Sequence, residues 1–299
     1  MSEYKMSDNY NFSDYLVPHG TVNGVAVAFY TTPEFRHKVE TKFKLRPESD
    51  IFIVTYPKSG TTWMQAIVRE MLLKDDPEDL AAMKLTNRLP WTDSPHEMVL
   101  DAVESWPSPR VFKCHHHSPE EMDSLFFKGN RKMKIIYVTR DPRDIAVSLY
   151  HHIKKMKFSA FVNESAFDTF QKTYMRDKDV VFYGLWEAHV ENWLNARKEY
   201  DILVVKYEDM IEDAVREIKR VAAFLEVDLS ETSAQDIAVK TSFKSATDNV
   251  HNLFNDDTGM TNSLLRKGVA GDWVNNFEDE EEAERMGKIA EELYWKHEI

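Results

Sequence analysis

Short runs of consecutive apolar residues recur along the chain, each followed by a polar turn and then by apolar positions three and four apart. Ile51-Phe52-Ile53-Val54-Thr55 is rich in β-branched side chains and predicts a strand, whereas Met64, Ile67, Val68, Met71 and Leu72 predict an amphipathic helix from Thr61 onward. The breaker cluster Tyr56-Pro57-Lys58-Ser59-Gly60 between them has the length of a strand-to-helix connection. The same order returns at Lys134-Ile135-Ile136-Tyr137-Val138, then Thr139-Arg140-Asp141-Pro142, then a helix with Ala146, Leu149, Tyr150 and Ile153 on one face. A third copy runs from Ile202-Leu203-Val204-Val205 to helical spacing at Ile218, Val221, Ala222 and Leu225, and Arg110 to Cys114 adds a further strand candidate. Strands alternating with longer helices predict an α/β fold with a mainly parallel central sheet flanked by helices. In such sheets ligands bind beyond the carboxyl ends of the strands, which is where the polar clusters of this chain fall.

With no fixed-period repeat and no Pro/Gly/Ser-rich linker, residues 1–299 are expected to form one domain. The acidic run Glu278 to Glu284 is expected to start the last helix, where negative charge suits the helix dipole. A formal net charge of −13 opposes non-specific attachment to nucleic acid or anionic lipid, so any polyanion site must be locally positive. No run of about 18 apolar residues is present and the N-terminus is polar, which disfavours membrane spanning and export. Cys114 is the only cysteine, so no intramolecular disulfide forms, and the chain reads as cytoplasmic.

The loop Thr55-Tyr56-Pro57-Lys58-Ser59-Gly60-Thr61-Thr62-Trp63 brings a lysine, a glycine and several hydroxyls to a helix start. Unpaired N–H groups and the positive dipole end favour a phosphate there, and Lys58 adds a mobile point charge. An ordinary capped helix with Ser59 as N-cap is the alternative. Lys58 precedes Ser59-Gly60 rather than following a glycine, so the loop is P-loop-like without being a Walker A sequence.

Arg140 closes a strand and Ser148 lies on the following helix, so a guanidinium fork and a hydroxyl converge on one anion; an arginine paired with Asp141 or Asp144 would leave the same trace. Arg266-Lys267-Gly268-Val269-Ala270-Gly271-Asp272-Trp273 combines two cations with two glycines, the composition of a loop that wraps an anion with its backbone or of a flexible basic turn. Lys113-Cys114-His115-His116-His117 follows a strand. Metal ligation and solvated loop histidines are both open readings for the triplet, although His115 and His117 alone do not form a common zinc spacing.

Taken in order, these segments resemble the cytosolic, PAPS-dependent sulfotransferase family, with the resemblance running from about Val22 to Phe277. The resemblance implies transfer of a sulfuryl group from 3′-phosphoadenosine 5′-phosphosulfate (PAPS) to a hydroxyl or amine of a small organic acceptor, with adenosine 3′,5′-bisphosphate (PAP) as product and no metal. It implies that Lys58, Ser59, Gly60, Thr61 and Thr62 hold the phosphosulfate and Trp63 stacks on adenine. Arg140 and Ser148 match the 3′-phosphate motif, completed by Arg266, Lys267 and Gly268, while Tyr207, Thr241 and Phe243 match adenine contacts. Lys113 is carried over as a phosphosulfate contact and His115 as the catalytic base in an in-line displacement, a role that suits a side chain mostly neutral at cellular pH.

The chain departs from the family at Asp141, usually asparagine, at Cys114, usually threonine, and at His116, usually apolar; the charge of Asp141 is expected to weaken nucleotide binding. Phenols, steroids, other alcohols and amines are the family's acceptors; Phe29, Phe158, Phe161 and Tyr174 are candidate pocket liners here, with core packing as the alternative for each. The resemblance leaves a homodimer open, but the usual Lys-Thr-Val-type dimer motif is missing from the acidic stretch after Phe277. Two other classes compete: a phosphoryl transferase, which requires Mg²⁺ and a triphosphate, and a non-catalytic binding protein for the bisphosphate or a hydrophobic ligand.

Overall fold

The computed structural model describes residues 4–6, 19–22, 25–28, 33–73, 103–156, 166–174, 176, 183–248 and 265–299. Its centre is a four-stranded parallel sheet of β4 (Ile51–Thr55), β5 (Val111–Cys114), β6 (Lys134–Thr139) and β7 (Asp201–Lys206), in the order β5-β4-β6-β7. All four predicted strands are present. A small antiparallel sheet of β1 (Tyr4–Met6), β2 (His19–Val22) and β3 (Val25–Ala28), which the hydrophobic pattern did not announce, precedes it.

The helices are α1 (Pro33–Lys42), α2 (Thr61–Leu72), the short α3 (Pro119–Met122), α4 (Pro142–Met156), α5 (Phe167–Tyr174), α6 (Trp186–Asn195), α7 (Tyr207–Glu212), α8 (Ala214–Phe224), α9 (Glu231–Lys240), α10 (Phe243–Asp248) and α11 (Glu280–Lys296). The acidic run does open α11, with its second residue as the cap: the Asp279 carboxylate accepts from the Glu282 N–H. Every residue of β4 is buried, as expected for a central strand covered on both faces. Period-2 alternation divides its side chains. Ile51 and Ile53 join Ile67, Val68, Ile218 and Val221 on one face, while Phe52 and Val54 join Phe112, Tyr137, Ile145 and Trp193 on the other. Cys114 belongs to the second cluster, so the cysteine in the family's threonine position is a core side chain.

Parallel register decides what meets at the carboxyl edge. Val54 lies opposite Cys114 and Tyr137, and Thr55 opposite Val138, so the residues that follow β4, β5 and β6 emerge side by side. At the other edge the Arg110 guanidinium donates to the Asp50 carboxylate at 2.7 and 2.5 Å and to the Lys44 carbonyl at 2.7 Å, tying the entrances of β4 and β5 together. Both charged side chains are fully shielded from solvent.

Candidate active site

The turn after β4 is not an ordinary capped helix. Gly60, not Ser59, occupies the cap position, with φ 105° and no side-chain cap, while Lys58 is itself left-handed at φ 71°. A Cβ on Gly60 would stand 2.8 Å from the Tyr207 ring, so the glycine is required by aromatic packing as well as by backbone conformation. A lysine in this backbone region is strained, a feature concentrated at functional loops. Around this turn Ser59 Oγ, Trp63 Nε1 and Arg140 Nε are buried with no hydrogen-bond partner among the described residues. Unsatisfied buried donors gathered at a helix start are a cradle for oxygen-rich ligands.

Lys58 stands at the centre of positive charge. Burial first, and then Arg140, Lys155 and Arg266, push its pKa down to about 7. Arg140 donates to the Lys58 carbonyl at 3.3 Å and to the Val269 carbonyl at 3.0 Å, and its guanidinium lies 4.1 Å over the Tyr207 ring. Arg140 therefore bridges the basic loop at residues 266–273 and the P-loop-like turn, two segments more than two hundred residues apart in sequence. Tyr207 opens α7 beyond β7, buried, with its ring edge-on to Trp63 at 5.6 Å between centroids.

The Arg266 segment is held by its own acid. Asp272 accepts from Arg266 at 2.6 Å, Lys267 at 2.8 Å and Asn275 at 3.1 Å. Burial raises its pKa, but these donors outweigh that and hold the carboxyl far below the usual range. Gly268, at φ 65°, packs on Phe243 so closely that a Cβ would fall 2.3 Å from the ring, which brings the Thr241-Ser242-Phe243 segment to the same place. Thr241 is buried and its hydroxyl donates to the Ile237 carbonyl one turn back at 2.8 Å. Ser148 is half-buried on α4, one turn beyond Asp144 on the same face. Thr62 is half-buried at the start of α2. Thr61 Oγ1 lies 2.6 Å from Thr55 Oγ1.

Asp141 does not present a free charge to this cluster. Its carboxylate takes both Nε and Nη2 of Arg143, at 2.9 and 2.6 Å, and that guanidinium stacks 4.0 Å from the Trp273 ring. The pair neutralises the acid that replaces the family's asparagine.

The three histidines after β5 diverge. His115 Nδ1 lies 2.7 Å from the Thr55 carbonyl and 3.0 Å from Thr55 Oγ1, at the carboxyl end of β4. A carbonyl only accepts, so Nδ1 carries the proton and the acceptor lone pair is on Nε2. His116 Nδ1 pairs with Glu121 at 3.2 Å and its ring lies 5.7 Å from that of Phe126, on the core side. His117 Nδ1 is 2.7 Å from the Tyr183 carbonyl, with Nε2 3.1 Å from Asn192 Nδ2. Each ring thus has separate partners, and among the described residues no group of three or more His, Cys, Asp or Glu is arranged to hold a metal ion. Lys113, opposite Ile53 in the register, is half-buried on the α2 face of the sheet. Phe29, Phe158 and Phe161 lie outside the described residues, as does the Tyr174 side chain.

Sequence reasoning missed Thr55 as the partner of His115, the aromatic wall of Tyr183 at 5.5 Å from His115, and the buried His189 that hydrogen-bonds Tyr137 at 3.0 Å. Burial, first of all, pushes the His189 pKa well down. The spacing of α6 marks His189 only as a position on its inner face.

The fold and this constellation define a class: parallel-sheet α/β proteins that gather a P-loop-like cradle, a second basic cluster and a histidine at one sheet edge. The chain matches the model for the sulfotransferase domain over residues 48–297. It is 33% identical over 268 residues to 3-beta-hydroxysteroid sulfotransferase of Cavia porcellus, covering 87% of this chain and 88% of that protein. It is also 33% identical over 272 residues to sulfotransferase 2A1 of Homo sapiens, covering 87% and 92%. Among solved structures, retinol dehydratase in a complex with retinol and PAP superposes with a TM-score of 0.77 at 21% identity, covering 98% of this chain and 96% of that one. A mouse sulfotransferase complexed with PAP gives 0.69 at 24% identity, covering 90% and 92%. The chain belongs to the sulfotransferase family, and the resemblance read from its motifs is borne out at that level.

Proposed function

We propose that this chain transfers the sulfuryl group of PAPS to a hydroxyl or amine of a small organic acceptor by in-line displacement, with His115 as general base. The observation that carries the reading is the convergence of two basic clusters on one sheet edge of an acidic protein, with the Arg140 guanidinium touching both the Lys58 and Val269 carbonyls. A nucleotide with phosphates on both its 3′ and 5′ sides calls for such a pair. The orphaned Ser59 Oγ and Arg140 Nε fit an oxygen-rich ligand. When bound, PAPS supplies an activated sulfuryl group whose leaving group is already a phosphate.

In this reading Lys58, Ser59, Gly60, Thr61 and Thr62 hold the 5′ side, with Lys113 beside them. Arg140, Ser148, Arg266, Lys267 and Gly268 hold the 3′-phosphate, and Trp63, Tyr207, Thr241 and Phe243 enclose the adenine. His115 Nε2 takes the acceptor proton, while Lys58, Lys113 and the loop amides stabilise negative charge on the equatorial and leaving oxygens. The names of the hydroxysteroid sulfotransferase and retinol dehydratase relatives support a small apolar alcohol among the acceptors. The single cysteine supports a cytoplasmic setting, and we read the chain as one sulfotransferase domain.

Thermal unfolding with adenosine 3′,5′-bisphosphate, 5′-AMP and ATP plus Mg²⁺ tests the nucleotide site without any choice of acceptor. At a hundredfold excess over Kd a native-state ligand adds about 2.7 kcal/mol, a rise of several degrees in Tm. Selective stabilisation by the bisphosphate is expected; a response to ATP with Mg²⁺ alone would favour the phosphoryl-transfer class instead.

A pH dependence follows from Lys58. With its pKa lowered to about 7 in the free protein, the ammonium is present below that pH and is lost as pH rises through it. A phosphate favours the charged form, so binding takes up a proton above pH 7. Affinity for the bisphosphate is expected to fall by up to about tenfold per pH unit between pH 7 and 9. Calorimetry at pH 8 in two buffers of different ionisation enthalpy measures the uptake directly, and Lys58→Arg, which stays charged, should abolish it. A pH-independent affinity in the parent protein would exclude Lys58 as the titrating ligand.

A further inference from the structure

The 3′-side cluster is assembled from two separate pieces of chain, Arg140 at the end of β6 with Ser148 on α4, and the irregular Arg266 loop near the C-terminus, which no secondary structure of its own holds against the first. Besides the Arg140 hydrogen bond to the Val269 carbonyl and the Arg143 stack on Trp273, one carboxylate ties them at three points. Asp144, buried at 1% exposure in the first turn of α4, accepts the Gly271 N–H at 2.7 Å on Oδ2 and the Trp273 N–H at 3.0 Å on Oδ1. The same Oδ2 receives the Arg140 guanidinium at 3.4 Å. A single buried group therefore grips the backbone of the loop and the side chain of the strand-end arginine together. The left-handed Gly271, at φ 80°, turns its amide toward that carboxylate just before Asp272 gathers Arg266 and Lys267.

We propose that Asp144 is a positioning residue for recognition of the 3′-phosphate: it sets the separation between Arg140 and the Arg266–Lys267 pair by pinning the loop to α4. The inference rests on the bisphosphate reading above and deepens it. Asp144 touches no ligand in this role, because its oxygens are spent on protein donors and a second anion beside a phosphate would repel it. Its effect is geometric: without the pin the loop cations no longer converge with Arg140, and a misplacement of about 1 Å costs on the order of a hundredfold where several groups act on one ligand.

Asp144→Asn is the discriminating variant. An amide nitrogen cannot accept a hydrogen bond, so one of the two loop amides loses its partner while side-chain volume is kept. Dissociation constants for adenosine 3′,5′-bisphosphate and 5′-AMP, measured by calorimetry on both proteins, give the readout. The parent protein is expected to prefer the bisphosphate; in the variant its Kd is expected to rise about ten- to a hundredfold while that of 5′-AMP changes less than about threefold. An unchanged preference in the variant, or equal weakening of both ligands, overturns the positioning role while leaving the bisphosphate reading intact. No preference in the parent protein overturns that reading, and this inference with it. Hydrogen exchange of the unliganded parent protein is independent of any folding defect in the variant. The Gly271 and Trp273 amides are expected to be the most protected in the segment 266–276, and exchange as fast as that of their neighbours would also overturn the proposal.

Discussion

His115→Ala is expected to lower kcat by about 10²- to 10⁴-fold while the Kd for adenosine 3′,5′-bisphosphate changes less than about threefold. The split follows from geometry. His115 is fixed at the edge of β4 by the Thr55 carbonyl at 2.7 Å, which leaves Nε2 to accept a proton, whereas the nucleotide cradle is built from the turn after it and from the Arg140 and Arg266 segments. His116 is held on the core side by Glu121, so His116→Ala should cost stability far more than turnover. Steady-state kinetics with PAPS and a phenolic or steroidal alcohol, paired with calorimetry, separates the two. Full activity in the His115 variant, or the large kinetic loss appearing in the His116 variant instead, would reject the general-base assignment.

The largest stability effect is expected at the opposite edge of the sheet. Asp50→Ala should destabilise the fold by about 3–5 kcal/mol, because it leaves the Arg110 guanidinium, which has no exposed side-chain surface, beside the rings of Phe43 and Phe112 with only the longer 3.4 Å contact to the partly exposed Glu104 carboxylate as counter-charge. The Asp50→Leu/Arg110→Met double variant removes both charges and should recover more than half of the loss, since the cost lies in the unpaired ion rather than in the absence of the pair. Denaturant unfolding of the three proteins measures this. A single-variant loss below about 1 kcal/mol would show that water or a rearranged Glu104 satisfies the arginine. Because the pair closes the amino ends of β4 and β5, nucleotide affinity of the folded variant should stay within about twofold of the parent, and a larger change would mean that the two sheet edges are coupled.

Local pattern carries much of this protein because its central strands are consecutive apolar runs and its site loops follow them directly. The β4 turn, Arg140 and His115 were legible as departures from apolar periodicity at strand ends, and the Arg266 segment as a pair of cations beside two glycines. The antiparallel strands β1 to β3 were not, because four-residue segments such as His19–Val22 and Val25–Ala28 are too short for alternation to stand out. The reason for Gly60 was only half legible: sequence grammar asks for a glycine in an anion loop, but the neighbour that excludes a Cβ is the ring of Tyr207, far along the chain.

The sequence by itself determined the strand and helix alternation, the family and the inventory of chemical groups, because hydrophobic period and turn chemistry are properties of neighbouring residues. Only the tertiary structure decided which histidine meets Thr55, that Asp141 is spent on Arg143, and that Asp144 and Asp272 hold the basic loop in place. The His115 pairing depends on parallel register and the Asp144 pairing on packing of segments more than a hundred residues apart, while even the short-range pairs of Asp141 and Asp272 are set by distances in space that no apolar periodicity encodes.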